Sequence, residues 1–524
     1  MASGNAPLNP FSRGDVLAQT GEEASIFDAL AIDSFGVPES VLMENAGRSA
    51  ALVVQYLYRP NHVVAFVGAG NNGGDSLVLL RTMASWGVDV TAVMVADRSA
   101  SDPLLHGWPV QSVIHDVGVN DDLIARALRE ADVIADGILG TGARGVPRQR
   151  ETAAIRLINA SDAPVVSLDI PSGADATSGA IPGEVVKAEL TVSFGAPKTG
   201  SLLYPARGYV GRHVTLDIGL PPLSESDTGG RIVTPQWVSG QLPVRETDTH
   251  KNRVGRLLIV GGAMGMAGAV ILAARGAFHA GAGFVQVCTS AANRDLVQAA
   301  IPEAIFIPSE DLEALREAAA QTDALVVGPG LGTGLESEIM LDQTLGQGSQ
   351  PVLLDADALN LAAQGSISLS QIGSMRPVLI TPHYGEMTRL APELVSADSR
   401  LDVARAFASE CAISVLLKGA PSIVASPAQP ILFDTQGSSD LAVAGMGDML
   451  SGVCGALMAQ GLEPAVAGAV GLYLSGRAAR ISERGAGLMP SDVSERIPDV
   501  LLEKTDVRGN FPFPFVVFDA EADQ

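Results

Sequence analysis

A stretch of glycine and polar residues at Gly68–Asp75 is the first part of the sequence that could bind a ligand. It reads GAGNNGGD and directly follows the apolar run VVAFV. Its glycines have the spacing Gly-x-Gly-x-x-Gly, which lets the backbone approach the phosphates of a dinucleotide at the start of a helix. The same spacing also occurs in tight turns that bind nothing. Because two asparagines and an aspartate accompany the glycines, we interpret the stretch as a binding loop, with a nicotinamide-dependent dehydrogenase as one alternative.

Two aspartates further along the chain end apolar runs of the same kind. Asp136 ends VIAD, and Asp169 ends VVSLD and is followed closely by Ser172. The carboxyl ends of parallel strands meet at one edge of a sheet, where these carboxylates would repel one another unless a cation or a proton lay between them. Asn72, Asp136 and Ser172 offer oxygen ligands that suit an alkali or alkaline-earth ion. Each aspartate alone could instead cap a helix, but the group together favours a site.

A second glycine-rich segment lies near the carboxyl terminus, in the sequence LAVAGMGDMLSGVCGAL. It places Gly445, Gly447 and Asp448 at the start of an apolar helix. The free N–H groups at such a helix start bind phosphate, and a neighbouring aspartate can take a proton from an attacking hydroxyl. The segment therefore predicts phosphoryl chemistry, although a capping aspartate is equally compatible with this motif alone. The runs GPGLG, DADALN, TPHYGEM and KGAPS, at the ends of other apolar runs, point to the same cleft.

The elements that would position these residues are short runs rich in Val, Ile and Leu that alternate with alanine-rich helical patterns. This alternation is typical of parallel sheets covered by helices. One series of runs begins at residues 63, 89, 131, 163 and 189, and a second series begins at 256, 284, 324, 351, 377 and 414. A segment rich in Pro, Gly and Ser separates the two series and has the composition of a linker. We therefore predict two α/β domains.

Composition narrows the class of protein. The chain has 524 residues, of which 34 are Lys or Arg and 58 are Asp or Glu, so its net charge is −24, which argues against nucleic-acid and membrane partners. With 47% hydrophobic and 18% charged residues it is a globular chain. Cys288, Cys411 and Cys454 are dispersed, which indicates a reducing compartment and no structural zinc. The amino terminus lacks the apolar stretch of a signal peptide. We expect a cytoplasmic protein.

The first series of motifs resembles the NAD(P)H-hydrate epimerase domain. The resemblance is carried, in this order, by LMENAG, GAGNNGGD, DGILGTG, DIPSG and FGAPKTG. It implies a Rossmann-like domain that interconverts the R and S epimers of hydrated NADH and NADPH, with a potassium ion at Asn72, Asp136 and Ser172. We expect Asp169 to be the catalytic residue, because a strand-end aspartate can carry both proton transfers. The substrate-binding residues that the resemblance implies are Asn71, Asn72, Gly73, Gly74, Asp75, Gly140, Thr141, Gly142, Ala143, Arg144, Gly145, Val146 and Asp169.

The second series resembles the ADP/ATP-dependent NAD(P)H-hydrate dehydratase domain, which is of ribokinase-like fold. The resemblance is carried by GGAMGMAGAV, GPGLG, DADALN, TPHYGE, KGAPS and AGMGD. It implies that the hydroxyl of the S hydrate is phosphorylated by ADP or ATP with Mg²⁺ and that phosphate then leaves, which restores NAD(P)H and releases AMP or ADP. Asp448 would be the catalytic base. The implied hydrate-binding residues are Ala267, Gly330, His383 and Asp448. The implied nucleotide-binding residues are Lys418, Gly419, Ala420, Pro421, Ser422 and Gly447.

The two resemblances together predict a fused, bifunctional repair enzyme. We predict an epimerase domain at 1–222, a linker at 223–240, a dehydratase domain at 241–505 and a tail at 506–524. We also expect the protein to form a homo-oligomer. Its other partners should be small molecules, namely the hydrates and an adenine nucleotide. Two further alternatives remain. The second domain could be a small-molecule kinase of ribokinase-like fold that releases its phosphorylated product, and the first could be a ligand-binding module without catalysis. Either ADP or ATP, and either the NADH or the NADPH hydrate, agrees with the motifs.

Overall fold

The chain divides into two compact units. A computed structural model describes residues 16–98, 103–116, 119–223, 228–243, 254–346, 348–395, 399–503 and 511–520. The first unit is Met1–Arg231 together with Asp506–Gln524, and the second is Ile232–Thr505. Of the predicted linker, residues 224–227 lie outside the described residues, as do 506–510 and 521–524 of the predicted tail. The linker range also contains a short strand and the start of a helix, whose bounds are given below.

The first unit consists of strands that alternate with helices. Its strands are β1 (Val16–Ala18), β2 (His62–Val67), β3 (Asp89–Met94), β4 (Gln111–Ile114), β5 (Val133–Gly137), β6 (Val165–Leu168), β7 (Leu190–Phe194), β8 (Arg212–Leu216) and β19 (Val516–Ala520). Its helices are α1 (Gly21–Asp33), α2 (Glu39–Tyr58), α3 (Asn71–Ser85), α4 (Asp121–Glu130), α5 (Gln149–Asn159), α6 (Thr199–Leu202) and α7 (Arg207–Val210).

The sheet of the first unit has the strand order β19-β8-β7-β6-β5-β2-β3-β4. All neighbouring pairs from β8 to β4 are parallel, and β19 is antiparallel to β8. Alternate residues of β2 pack on opposite faces, with Val63 and Ala65 against α2 and α3, and Val64 and Phe66 against α4 and α5. Because β2, β5 and β6 are parallel neighbours, the loops after them share one edge, where α3 begins at Asn71.

The second unit is built in the same way on a longer sheet. Its strands, with β9 spanning the division between the units, are β9 (Gly230–Ile232), β10 (Arg256–Val260), β11 (Phe284–Thr289), β12 (Ile305–Pro308), β13 (Ala324–Val327), β14 (Val352–Leu354), β15 (Val378–Ile380), β16 (Ser414–Leu417), β17 (Ile423–Ala425) and β18 (Ile431–Phe433). Its helices are α8 (Pro235–Gln241), α9 (Ala267–His279), α10 (Arg294–Ala300), α11 (Leu312–Gln321), α12 (Leu335–Leu345), α13 (Asp357–Ala363), α14 (Leu369–Met375), α15 (Tyr384–Leu390), α16 (Pro392–Val395), α17 (Arg400–Cys411), α18 (Met446–Ala459), α19 (Pro464–Ser482) and α20 (Pro490–Leu501).

In the second unit the order β18-β17-β16-β15-β14-β13-β10-β11-β12 runs across the sheet. The pairs from β16 to β12 are parallel, and β17 and β18 continue the sheet antiparallel. Helices α9, α18 and α19 bury one face in an apolar core. The predicted fold class, two α/β domains each built on a largely parallel sheet, is confirmed. Within the described ranges, none of the helices is long and apolar enough to cross a membrane.

Candidate active sites

A cavity of about 800 Å³ opens at the carboxyl ends of β2, β5 and β6 in the first unit. Its walls come from the loops after these strands and from α1 and α2, which lie across the edge. A cavity of this volume is large enough for a nucleotide-sized ligand. The polar side chains in its walls that matter below are Asp28, Asn71, Asn72, Asp75, Asp169 and Lys198.

Asp136 and Ser172 lie fully buried at this edge of the sheet. The Asp136 carboxylate is 0% exposed and accepts hydrogen bonds from Ser172 N (2.9 Å), Ser172 Oγ (2.5 Å), Ser167 Oγ (2.8 Å) and Ile138 N (3.3 Å). Burial raises the pKa of Asp136, and the hydrogen bonds from Ser172 and Ser167 oppose that rise. Among the described ion pairs none involves Asp136. The charge of this carboxylate is therefore compensated by hydrogen bonds alone.

Asn72, in the first turn of α3, belongs to the same group. Its Nδ2 donates to the carbonyl oxygens of Leu139 (2.9 Å) and Leu168 (3.0 Å), which follow β5 and end β6. Its Oδ1 is buried and has no hydrogen-bond partner among the described residues. Leu139 N in turn donates to Ser172 Oγ at 2.9 Å. The structure thus brings Asn72, Asp136 and Ser172 together and leaves one amide oxygen without a donor, which fits a cation ligand.

Asp169 is held by a lysine that the sequence reasoning did not single out. Lys198 is 3% exposed, and its Nζ donates to Asp169 Oδ1 (2.8 Å) and to the carbonyl oxygens of Phe194 (2.9 Å) and Ala196 (3.0 Å). All three N–H groups of Lys198 are therefore used, and Asp169 Oδ2 has no partner among the described residues. Lys198 belongs to FGAPKTG and follows β7. A lysine just beyond a strand end at the ligand-binding edge was the signal that could have revealed it.

Two further carboxyl groups face the same cavity. Burial, together with the nearby charges of Asp169 and Asp28, raises the pKa of Asp75 well above its ordinary value. Burial in the cavity wall, opposed by Lys198 but reinforced by Asp169 and Glu39, raises the pKa of Asp28 to about 6. Part of the Asp28 side chain remains exposed, so it can exchange protons with solvent. The site therefore pairs Asp169 with a second carboxyl group that titrates near neutral pH.

The remaining predicted substrate-binding residues of the first unit fall into three groups. Asn71 and the stretch from Gly140 to Ala143 line the cavity, whereas Arg144, Gly145 and Val146 are not part of its lining. Gly73 and Gly74 are buried inside α3. A Cβ atom at residue 73 would lie 2.1 Å from the Gly68 carbonyl oxygen, and one at residue 74 would lie 2.6 Å from the Met43 sulfur. These two glycines allow the close packing of the loop.

In the second unit, an ion pair between a half-buried lysine and a buried aspartate lies at the ends of two strands. Lys418, after β16, donates to Asp355 Oδ1 at 3.0 Å, and Ser451 Oγ of α18 donates to Asp355 Oδ2 at 2.7 Å. Burial alone would lower the pKa of Lys418, but Asp355 and Glu386 raise it above its usual value. A Cβ atom at Gly447 would lie 3.3 Å from Lys418 Nζ. The lysine charge therefore lies beside the first turn of α18, where an anion would bind.

Asp448 occupies that first turn and is half-buried. Burial and the neighbouring Asp355 raise its pKa to about 6, and Lys418 opposes the rise. His383 caps α15, with its Nδ1 accepting from Glu386 N at 3.2 Å. It pairs with Lys418 in an isolated parallel bridge, in which Lys418 N donates to Pro382 O at 2.8 Å. His383, Lys418, Gly447 and Asp448 therefore belong to one edge of the sheet.

Gly330 packs against the start of α9, where Ala267 lies. Ala267 begins α9, and a Cβ atom at Gly330 would lie 3.0 Å from Met266 Cβ and 3.1 Å from Ala269 Cβ. The loop that contains Gly330 is joined to the loop after β14 by the hydrogen bond from Gly332 N to Asp357 Oδ2 (2.8 Å).

The loop Lys418–Ser422 is supported by an arginine that the sequence reasoning missed. Arg400 Nη1 donates to the carbonyl oxygens of Ala420 (3.3 Å) and Pro421 (3.2 Å), and Ser422 Oγ donates to Gly419 O (3.1 Å). A Cβ atom at Gly419 would lie 2.3 Å from Arg400 Nη2, so a side chain at this position would require the arginine to shift. These hydrogen bonds hold the backbone of the loop in one conformation.

Comparison with known proteins assigns different families to the two parts of the chain. Residues 39–200 match the family described as YjeF-related protein N-terminus, and residues 257–499 match the family described as NAD(P)H-hydrate dehydratase. The bifunctional NAD(P)H-hydrate repair enzyme Nnr of Moorella thermoacetica is 33% identical over 510 residues, which cover 92% of this chain and 96% of that protein. The chain belongs to the family of bifunctional NAD(P)H-hydrate repair enzymes. The enzyme of the same name from Escherichia coli K12 is 33% identical and covers 86% of this chain and 87% of that protein.

A solved structure aligns with about half of the chain. It is that of the ADP/ATP-dependent NAD(P)H-hydrate dehydratase from Bacillus subtilis, co-crystallised with ATP and Mg²⁺, and it aligns with 51% of this chain and 96% of that chain at 27% identity and a TM-score of 0.45. Membership of the repair-enzyme family confirms both resemblances stated from the sequence and the prediction of a bifunctional enzyme.

Proposed function

We propose that the first unit epimerises the R and S hydrates of NADH and NADPH and that the second unit dehydrates the S form, with residues 1–222 and 241–505 as the two catalytic domains. The observation that carries the proposal is the cavity in which Asp169, fixed by Lys198, faces a carboxyl group with a pKa of about 6. Family membership supports the substrate. The predictions of a cytoplasmic location and of a homo-oligomer stay predictions.

Epimerisation of a hydrate is a proton-transfer problem. The hydroxyl group sits on a ring carbon beside the nitrogen, so protonation of that hydroxyl lets water leave while the nitrogen lone pair forms a double bond to the carbon. Water then adds from the opposite face and gives its proton to a carboxylate, so no net change of protonation results. Asp28 is suited to donate the proton, and the unpaired Oδ2 of Asp169 is suited to accept one.

Potassium is the cation that we propose for the buried group of the first unit. The unpaired Asn72 Oδ1, the Asp136 carboxylate without an ionic partner and the Ser172 hydroxyl supply oxygen ligands with a single negative charge, which suits a monovalent ion. When bound, the ion would compensate the charge of Asp136 and hold the loops after β5 and β6 in place.

We expect replacement of potassium by tetramethylammonium to lower the thermal unfolding midpoint. Asn72→Leu should abolish that difference, and a difference that persists in this variant would contradict the site.

The second unit has the groups needed for phosphoryl transfer to the hydrate. Asp448 would take the hydroxyl proton as the oxygen attacks the terminal phosphorus of ADP or ATP and the bond to the leaving nucleotide breaks. The bond between carbon and phosphate oxygen then breaks, water takes a proton from the neighbouring ring carbon, and the double bond of NAD(P)H is restored as phosphate leaves. Lys418, the loop up to Ser422 and the N–H groups at Gly447 would hold the nucleotide phosphates with Mg²⁺. Ala267, Gly330 and His383 would contact the hydrate.

One assay tests the assignment. The purified full chain is incubated with a mixture of R and S hydrates and with ADP or ATP in separate reactions, and recovery of the reduced-cofactor absorbance is followed. We expect complete recovery with at least one nucleotide. Consumption of nucleotide without recovery of absorbance would instead identify a small-molecule kinase, and absence of recovery with both nucleotides would refute the dehydratase assignment.

A further inference from the structure

Strand β19 follows the second unit in the sequence but lies in the first. We infer that this strand supports the epimerisation site, and that His213, which it covers, is a positioning residue for Asp169. The inference rests on the proposed function of the cavity. It goes beyond that function because it assigns a role in the first reaction to a segment outside the domain that was predicted to perform it.

The strand is anchored by a charged pair and by aromatic side chains. It pairs antiparallel with β8, with Asp519 opposite Val214 and Ala520 opposite His213. Arg212 of β8 donates from Nε and Nη2 to the two carboxylate oxygens of Asp519, each at 2.9 Å. The Arg212 guanidinium also lies 4.7 Å from the centre of the Phe511 ring, which is buried in the same core as the inner strands. A bidentate pair and a buried ring indicate a fixed strand.

A chain of contacts leads from this strand to Asp169. The Phe518 ring meets the His213 ring edge to face, with centroids 5.5 Å apart and an angle of 86°. His213 is 1% exposed, and its Nε2 lies 2.8 Å from Ser193 Oγ. Ser193 Oγ donates its one proton to the Asp169 carbonyl oxygen at 2.7 Å. Because that proton is used, the hydroxyl must accept from Nε2–H of His213. Burial lowers the pKa of His213 to about 3, so this neutral donor is present throughout the working pH range.

The backbone of Asp169 needs such support. Its φ is +64°, a left-handed conformation that L-residues rarely adopt, so surrounding contacts must hold it. Two contacts do so: Asp169 N donates to Val192 O at 2.7 Å, and Ser193 holds the carbonyl. The conformation aims the carboxylate at Lys198 and the cavity. Loss of the Ser193 contact would therefore let the carboxylate turn away from the substrate without removing it.

Substitutions of His213 in the full chain test the positioning role. His213→Leu keeps the bulk and removes the donor, whereas Gln in His213→Gln can present an N–H near the position of Nε2. We expect His213→Leu to lower the kcat of epimerisation about tenfold with little change in KM, and His213→Gln to stay within about threefold of the unaltered chain. The matched control is His62→Leu, because His62 Nε2 also meets a hydroxyl, Thr91 Oγ1 at 3.0 Å, but neither residue lines the cavity. That control should leave epimerisation unchanged.

Removal of residues 511–524 tests the strand itself, with dehydration of pure S hydrate by the same chain as the internal reference. We expect epimerisation to fall at least tenfold while dehydration stays within about twofold. The inference would be overturned if the shortened chain epimerised as fast as the unaltered chain. It would also be overturned if His213→Leu and His213→Gln lost the same share of the epimerisation rate. If the unaltered chain dehydrates S hydrate but never converts R hydrate, the proposed epimerase function fails and the inference fails with it. If the unaltered chain converts R hydrate and the variants match it, only the inference fails.

Discussion

In each unit a lysine holds a strand-end aspartate; this lysine is buried in the first unit and half-buried in the second. Lys198 pairs with Asp169 at 2.8 Å and Lys418 with Asp355 at 3.0 Å. The two pairs differ in whether the aspartate keeps an oxygen without a hydrogen-bond partner. Asp169 keeps one oxygen without a partner, whereas both oxygens of Asp355 are bonded. Asp169 thus keeps an oxygen available for the proton transfer that we propose, while Asp355 holds Lys418 beside the start of α18.

Lys198→Met should disable the first site. The substitution removes the positive charge and all three hydrogen bonds that hold Asp169 Oδ1 and the loop after β7. We expect the kcat of epimerisation to fall roughly 100-fold, which is within the range for loss of a positioned proton-transfer group. Lys187→Met, at an exposed lysine of the same unit, is the control. Normal epimerisation by Lys198→Met would contradict the role of the pair.

The rate of dehydration should depend on the ionisation of Asp448. As a base Asp448 must be deprotonated, and its pKa is raised to about 6. Below that pH the reactive fraction falls tenfold per pH unit, so kcat/KM should decline from pH 7 to pH 5 and level off above pH 7. Initial rates with pure S hydrate measure the profile. Asp448→Asn should dehydrate the S hydrate slowly, and its kcat/KM should not decline between pH 7 and pH 5. The same decline in that variant would assign the titration to another group.

At the scale of elements, the turn from β2 into α3 shows why glycine is needed at one position and not at its neighbour. A Cβ atom at residue 73 would lie 2.1 Å from the Gly68 carbonyl oxygen, a backbone atom that cannot move aside easily. At Gly70 no heavy atom of the described structure lies within 4 Å of such a Cβ, and φ is −85°. The spacing of the glycines thus reflects close packing as much as ligand approach.

Gly73→Ala should therefore destabilise the first unit, and Gly70→Ala should not. We expect a loss of about 1–3 kcal/mol in the free energy of unfolding for the first variant, the usual cost of forcing atoms into a packed site. The second should lie within about 0.5 kcal/mol of the unaltered chain. Chemical denaturation followed by circular dichroism measures both. Equal stability of the two variants would show that the loop can shift.

The sequence predicted the elements and the strand-end residues, but not the residues that support them. Asp136 and Asn72 could be placed together because parallel strands bring their carboxyl ends to one edge. Lys198 and Arg400 reach their partners through long side chains, and their roles depend on tertiary distances that local patterns do not contain. Strand β19 pairs with a strand some 300 positions earlier, and such a pairing has no short-range signature. The sequence therefore predicts no role for the tail.

For the whole molecule, the two reactions should be separable by single substitutions. In a mixture of R and S hydrates, Asp169→Asn should restore only the S fraction to NAD(P)H, because the second unit keeps all its residues. Asp448→Asn should restore none, although it should still equalise the two epimers. Absorbance recovery and chromatographic separation of the epimers measure these outcomes. Complete recovery by Asp169→Asn would show that the first unit is not a catalyst.

Strand β19 also has a consequence for how the protein is made. The ribosome completes β8 at Leu216 and reaches Val516 only after the whole second unit. At about 5–20 residues per second this interval lasts roughly 15 to 60 s. Until then β8 is an open edge of a sheet, a form of backbone that readily pairs with other chains. Nascent chains that stall within the second unit should therefore depend on chaperones, even though most of the first unit has already been synthesised.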